Sequence, residues 1–130
     1  MSKLNLIAEP GSHAIVMTRE FAAPRDLVFR TFTDPTLVPR WWGSRAYTTT
    51  VDQMEVRMGG LWRYVSHGAE GEFAFRGVYH QVVAPERLVY TFEYEGMPGR
   101  ILLETVAFEE RDGRTLVTDS AVYQSVEDRD

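Results

Sequence analysis

The sequence predicts a single α+β domain built on a curved antiparallel sheet, and three observations predict it. From Tyr47 onward apolar and polar residues alternate with a period of two, the pattern of half-buried strands. That alternation is interrupted by turn chemistry at Gly59-Gly60, Gly68-Ala69-Glu70-Gly71, Ala84-Pro85-Glu86, Gly96-Met97-Pro98-Gly99 and Asp112-Gly113, so successive strands should close as hairpins. Helical spacing occurs only earlier, between Pro24 and Gly43.

Composition sets the bounds. A chain of 130 residues makes one domain and buries enough surface for a core without staples. It has no cysteine, which removes disulfides and thiolate metal sites. The net charge is −5 and Lys3 is the only lysine, so no basic footprint for nucleic acid exists. The N-terminus lacks an apolar signal core, and no run approaches the ~20 apolar residues that cross a bilayer. A cytoplasmic protein with no membrane partner is the expectation.

Taken in order, residues 1–12 end in Glu9-Pro10-Gly11-Ser12 and read as a loose leader. His13 to Phe21 is a strand, rich in Ile15, Val16 and Thr18. Pro24 suits a helix start, and Leu27, Val28, Thr31 and Phe32 recur at helical spacing up to Thr33. Asp34-Pro35 restarts the signal for a second short helix that Gly43 ends, with Trp41 and Trp42 at its close. Strands are then expected over Tyr47–Arg57, Leu61–His67, Glu72–Val83, Arg87–Glu95, Arg100–Glu110 and Arg114–Tyr123, for about six or seven in all.

Hairpin pairing assigns the faces. His67 opposite Glu72 aligns Tyr64 with Phe75 and Trp62 with Gly77; Val83 opposite Leu88 aligns Tyr79 with Phe92; Glu95 opposite Arg100 aligns Phe92 with Leu103 and Tyr94 with Ile101. One face then collects Trp62, Tyr64, Phe73, Phe75, Tyr79, Tyr90, Phe92, Tyr94, Ile101 and Leu103. The other collects Arg63, His67, Glu72, Arg76, His80, Glu93 and Glu104 and faces solvent. The aromatic face is either a filled core or the lining of a cavity; its tyrosines, whose hydroxyls need partners, favour a cavity.

Catalytic patterns are sparse. His13, His67 and His80 have no metal-ligand spacing, no cofactor motif occurs, and there is no nucleophile elbow. Asp119 falls on the aromatic face, opposite Thr105, if the last hairpin closes tightly; there, desolvation would raise its pKa and suit it to act as a base.

Five segments occur in the order Arg19-Glu20-Phe21-Ala22-Ala23-Pro24, Phe32-Thr33-Asp34-Pro35, Trp41-Trp42-Gly43, Gly59-Gly60-Leu61-Trp62-Arg63 and Pro85-Glu86-Arg87-Leu88-Val89-Tyr90-Thr91. Together they resemble the START-like (SRPBCC) superfamily, in particular homologues of the activator of the 90-kDa heat-shock-protein ATPase, from about His13 to Tyr123. The resemblance implies a helix-grip fold, with an apolar cavity between the sheet and a long C-terminal helix. That helix is absent from this sequence, which stops at Ser125–Asp130, whether through truncation or omission of a tail. Ser44 and Met58 replace prolines common in the family. Glu55 and Arg57 stand where relatives also carry an acid and an arginine, and a structural ion pair is the expected role.

The functional expectation is binding of a small apolar molecule by Trp41, Trp42, Trp62, Tyr64, Phe75, Tyr79, Tyr90 and Phe92, without catalytic residues, metal or cofactor. An uncovered aromatic face would recruit either that molecule or a second copy of the chain. One alternative is a chaperone-interacting module, with Arg63, Arg76 and Glu104 on the charged face making the contact. Another is an enzyme of cyclase or hydrolase type working through Asp119 or Glu55.

Overall fold

The computed structural model describes residues 4–43 and 45–130. Its strands are β1 (Leu4–Ile7), β2 (Ala14–Phe21), β3 (Thr48–Met54), β4 (Leu61–Gly68), β5 (Gly71–Val83), β6 (Arg87–Tyr94), β7 (Ile101–Arg111) and β8 (Arg114–Val122). They form one antiparallel sheet in the order β1-β2-β8-β7-β6-β5-β4-β3. Strands β3 to β8 are a meander, as the turn chemistry requires. The hairpin Arg111↔Arg114 turns on Asp112 and Gly113, both at positive φ.

Between β2 and β3 the chain crosses one face of the sheet through helix α1 (Arg25–Thr33) and a single 3₁₀ turn, Val38–Arg40. The expected second helix is thus reduced to one turn. Asp34 does nucleate it, its side chain accepting from the Thr36 N–H at 2.8 Å, but Pro39 inside the segment cannot supply the donor that a further helical turn needs. A short helix α2 (Val126–Arg129) follows β8, with the Asp128 N–H donating to the Ser125 hydroxyl at 3.1 Å.

The loose leader is corrected in part, because Leu4–Ile7 pairs with Val16–Arg19 of β2 and adds an eighth strand beyond the six or seven expected. Its free backbone groups have a natural partner in the open edge of β2. The same stretch of chain is held at its other end, where the Arg129 guanidinium donates to the Glu9 carbonyl at 2.6 Å.

Registers divide the same way. Strands β4 and β5 pair as the glycine turn dictates, with Tyr64 opposite Phe75 and Trp62 opposite Gly77. Strands β5 and β6 are offset by one residue, Val83 meeting Arg87, and an irregularity between Tyr79 and Gln81 brings Tyr79 opposite Tyr90. Strands β6 and β7 are also offset, Phe92 meeting Leu102 and Tyr90 meeting Glu104. Ile101 and Leu103 therefore leave the aromatic face and stand 39% and 41% exposed, while Glu104 moves inward. Asp119 is on the inner face but opposite Val106, not Thr105.

Two clusters cover the inner face. Under α1, Val28 and Phe29 pack with Leu88, Val106, Phe108 and Val117; burial of such side chains contributes about 2 kcal/mol each. Under the 3₁₀ turn, Val38 packs with Trp62, Tyr64 and Tyr79. Val82 and Tyr90 touch both clusters and join them into one layer.

Candidate functional site

The two adjacent tryptophans are sent in opposite directions along the inner face. Trp41 is pulled towards α1, its indole N–H donating to the Thr31 carbonyl at 2.8 Å and its ring 4.9 Å from that of Phe32. Trp42 turns towards β4–β6, its ring centroid 5.2 Å from Tyr64 and 5.0 Å from Phe75. The Thr49 hydroxyl, donating to the Trp42 carbonyl at 3.0 Å, holds this bend, and Gly43 at φ +85° completes it.

Trp62 lies across the sheet rather than standing on it. Its ring passes over Gly77, and its indole N–H donates to the Thr91 carbonyl at 3.1 Å. The rings of Trp62, Tyr64, Tyr79, Tyr90 and Phe92 then interlock at centroid distances of 4.7–6.1 Å, in edge-on and tilted contacts.

This packing leaves three spaces along the inner face. A central crevice of about 30 Å³ is lined by Trp41, Trp42, Trp62, Tyr64, Tyr79, Tyr90, Phe92 and Glu104, among others. It is the meeting point of seven of the eight residues expected to bind a ligand, and it holds about one water's volume. The eighth, Phe75, lies on the far side of Trp42, in an open groove of about 570 Å³ with Tyr47, Ser66, Phe73, Phe92 and Tyr94. Beyond Trp41 is a second groove, of about 390 Å³, lined by Met17, Phe21, Phe32, Val117 and Asp119.

The polar residues of the inner face converge where these spaces meet. Glu104 comes from β7 and Asp119 from β8, set diagonally on the same face; the Tyr90 hydroxyl reaches Glu104 from β6. Burial, reinforced by the charge of Asp119, pushes the Glu104 carboxyl up to about 8. Burial also raises Asp119, opposed by the hydrogen bond that it shares with Glu104. A protonated Glu104 donating to an ionised Asp119 accounts for both directions. Desolvation lifts the Tyr79 hydroxyl to about 12 and raises Tyr90 and Tyr64 as well, so all three stay neutral donors.

Among the polar residues of this cluster, Glu104 is the one that the sequence places on the wrong face. Its sequence signal was the weak one of an acid within Ile101–Arg111, and only the true register reveals its side. Glu55 does not join the cluster. It braces the Gly59-Gly60 turn, accepting from the Leu61 N–H at 3.2 Å and from Arg57 at 3.4 Å. On the outer face Arg63 is forked onto Glu95 at 2.7 and 3.0 Å and also bonds Asp52, while Arg76 bonds Glu93. His67 links Glu72 and Thr50. Met58 is 75% exposed on its loop. Ser44 lies outside the described residues. Among the described residues, no three His, Asp or Glu side chains converge as metal ligands, and no helix is long and apolar enough to cross a membrane.

Comparison with known proteins agrees with this architecture. A Rhodobacter sphaeroides protein of known structure is 28% identical, with a TM-score of 0.87 over 98% of this chain and 83% of that one. A Mycobacterium smegmatis protein is 23% identical, with a TM-score of 0.86 over 97% and 82% of the two chains. An HSP90 activator from Plasmodium falciparum shares the fold at 18% identity, with a TM-score of 0.66 over 85% and 73%. No curated protein matches the chain significantly. The family model described as "Activator of Hsp90 ATPase homolog 1-like protein" matches residues 22–130. That span carries the helical crossover, the meander and both inner-face clusters, and by it the chain belongs to the Activator of Hsp90 ATPase homolog 1-like family.

Proposed function

We propose that the inner face binds a small apolar or aromatic molecule, seated in the open groove against Trp42, Phe73, Phe75, Phe92 and Tyr94. The observation that carries this reading is the groove itself: about 570 Å³ of open space walled by aromatic rings, within the size range of small-molecule sites. The neighbouring central crevice is filled by its own side chains, so the ligand rests beside the cluster rather than inside it. A planar ring lying against the Phe75 and Tyr94 rings gains apolar burial at about 25 cal/mol per Å² and needs no charge partner.

Equilibrium dialysis with 1-ethylnaphthalene tests this. The chain should retain the probe, and Phe75→Ala should weaken retention about tenfold while the fold persists. A wild-type chain that retains no probe would remove the reading. A second copy covering the groove would instead give a dimer in sedimentation and exclude the probe.

Family membership favours one further reading, contact with a chaperone through the outer face. Its candidate residues are Arg63 and Arg76, since Glu104 faces inward. Both arginines are already committed to Glu95, Asp52 and Glu93 within the chain, which leaves them little to offer a partner. If the chaperone reading holds, Arg63→Glu with Arg76→Glu should abolish capture by purified chaperone and leave probe retention intact. Capture unaffected by both reversals would exclude this face as the contact.

A further inference from the structure

On the outer face, at the β3 edge of the sheet, three side chains have the geometry of an activated nucleophile. Oγ1 of Thr50 lies 3.0 Å from Nε2 of His67, and Nδ1 of His67 lies 2.9 Å from Oε2 of Glu72. They come from the neighbouring strands β3, β4 and β5, and the register holds them together. His67 is opposite Glu72, while Thr50, opposite Val65, is diagonal to His67. None of the three lines the spaces of the inner face.

The hydrogen bonds assign the protons. A carboxylate only accepts, so Glu72 holds the His67 proton on Nδ1 and leaves Nε2 with its lone pair. The Thr50 hydroxyl then donates to Nε2. A hydroxyl bonded to a histidine whose far nitrogen is oriented by a carboxylate is the arrangement that activates serine and threonine nucleophiles. As an exposed ion pair, His67 and Glu72 add little to stability. A reactant can also reach the hydroxyl: Thr50 is exposed, and β3 is the last strand of the sheet.

The surrounding charge selects the reactant. Glu72 stands beside His67, and Glu70 is in the adjoining turn. The arginine of β4, Arg63, is committed to Glu95 and Asp52. A phosphoryl donor needs cations about its oxygens, and these acids repel it. The carbonyl of an acyl thioester is neutral and needs none.

We propose that Thr50 is an acylation site for acyl thioesters, with His67 as its base and Glu72 positioning the imidazole. Oγ1 of Thr50 attacks the carbonyl carbon, and its proton passes to Nε2 of His67. The carbon–sulfur bond then breaks. The sulfur leaves with the bonding pair and takes the proton from His67, so a thiol is released and an ester remains on Thr50.

The test is incubation with S-acetyl-N-acetylcysteamine near neutral pH, followed by digestion and mass spectrometry. Thr50 should gain one acetyl group about a hundredfold faster than Thr48, which is exposed on the same face of the same strand. Thr50→Ser should keep the reaction. His67→Ala should lose it and regain it when free imidazole is added. Glu72→Gln should slow acetylation about tenfold in the wild-type chain and have no effect in the His67→Ala chain, because Glu72 acts through the imidazole. Thr50 left unacetylated, or acetylated no faster than Thr48, or acetylated at a rate indifferent to His67→Ala, would overturn the site and leave the three side chains as a tie between strands.

Discussion

Stability should fall as pH rises from about 5 to 8, and Glu104→Gln should flatten the fall. An unfolded glutamate ionises near 4.5, whereas burial holds the folded Glu104 up to about 8. Within that window the folded state binds the extra proton. Unfolding releases it, so each unit of pH weakens the fold by up to about 1.4 kcal/mol. The contribution is fully present below the unfolded value and is lost as pH climbs through the folded one. Asp119, also raised by burial, pushes in the same direction. A net loss of about 3 kcal/mol, or roughly 10 °C in Tm, is expected across the window. Glutamine keeps a donor and the shape of the side chain but cannot ionise, so the variant should melt higher than wild type at pH 8 and about equally at pH 5. Thermal melts followed by circular dichroism decide it. A wild-type Tm independent of pH would show that both carboxyls ionise as they do in water.

Gly77→Ala should cost about 3 kcal/mol, the upper range for forcing one carbon into a packed layer. A Cβ at this position would collide with the Thr91 carbonyl and with Nε1 of Trp62, the two atoms joined by the indole hydrogen bond. Neither can move away without releasing the other. Here the β5–β6 pairing is interrupted between Arg76 and Tyr79, and the Val78 N–H bonds the Thr91 side chain at 2.9 Å. The midpoint of urea unfolding should drop accordingly, and tryptophan emission should shift to the red as the indole is displaced. An unchanged midpoint would mean that Trp62 does not depend on the gap over Gly77.

The parts of this architecture that a linear reading captures are those governed by local rules. The turn between Gly68 and Gly71 leaves one choice of pairing, so Tyr64, Phe75 and Trp62 were placed correctly. The aromatic identity of the inner face survived even where the register did not, because the irregularity after Tyr79 restored the alternation that the offset had broken. Glu104 had no such rescue. Its side depends on how β6 leaves the sheet, and that is decided by side-chain contacts outside the turn itself, one of them from as far as β4. Glu93 accepts from the Gly99 N–H at 2.7 Å and Glu95 turns away to clamp Arg63, so the connection begins a residue earlier than the Gly96–Gly99 turn suggests. A slip of one residue reverses every side chain beyond it. The tryptophan pair likewise gave no hint that Trp41 and Trp42 would part, since that separation rests on the Thr31 carbonyl and the Thr49 hydroxyl.

Strand order also implies a sequence of events in time. The groove beside Phe75 is made by β4 to β6, each strand bonded to its neighbour in sequence, with Trp42, Gly43 and Tyr47 from the chain just before β3, so it can condense from short-range contacts. The groove beside Asp119 needs β2 to find β8, with Phe21 meeting Thr115, and that pairing closes only across most of the chain. The groove beside Phe75 is therefore the early-forming one, and the groove beside Asp119 is completed last. Amide hydrogen exchange in β2 should accordingly outpace exchange in β5, so the two grooves keep different clocks within one sheet.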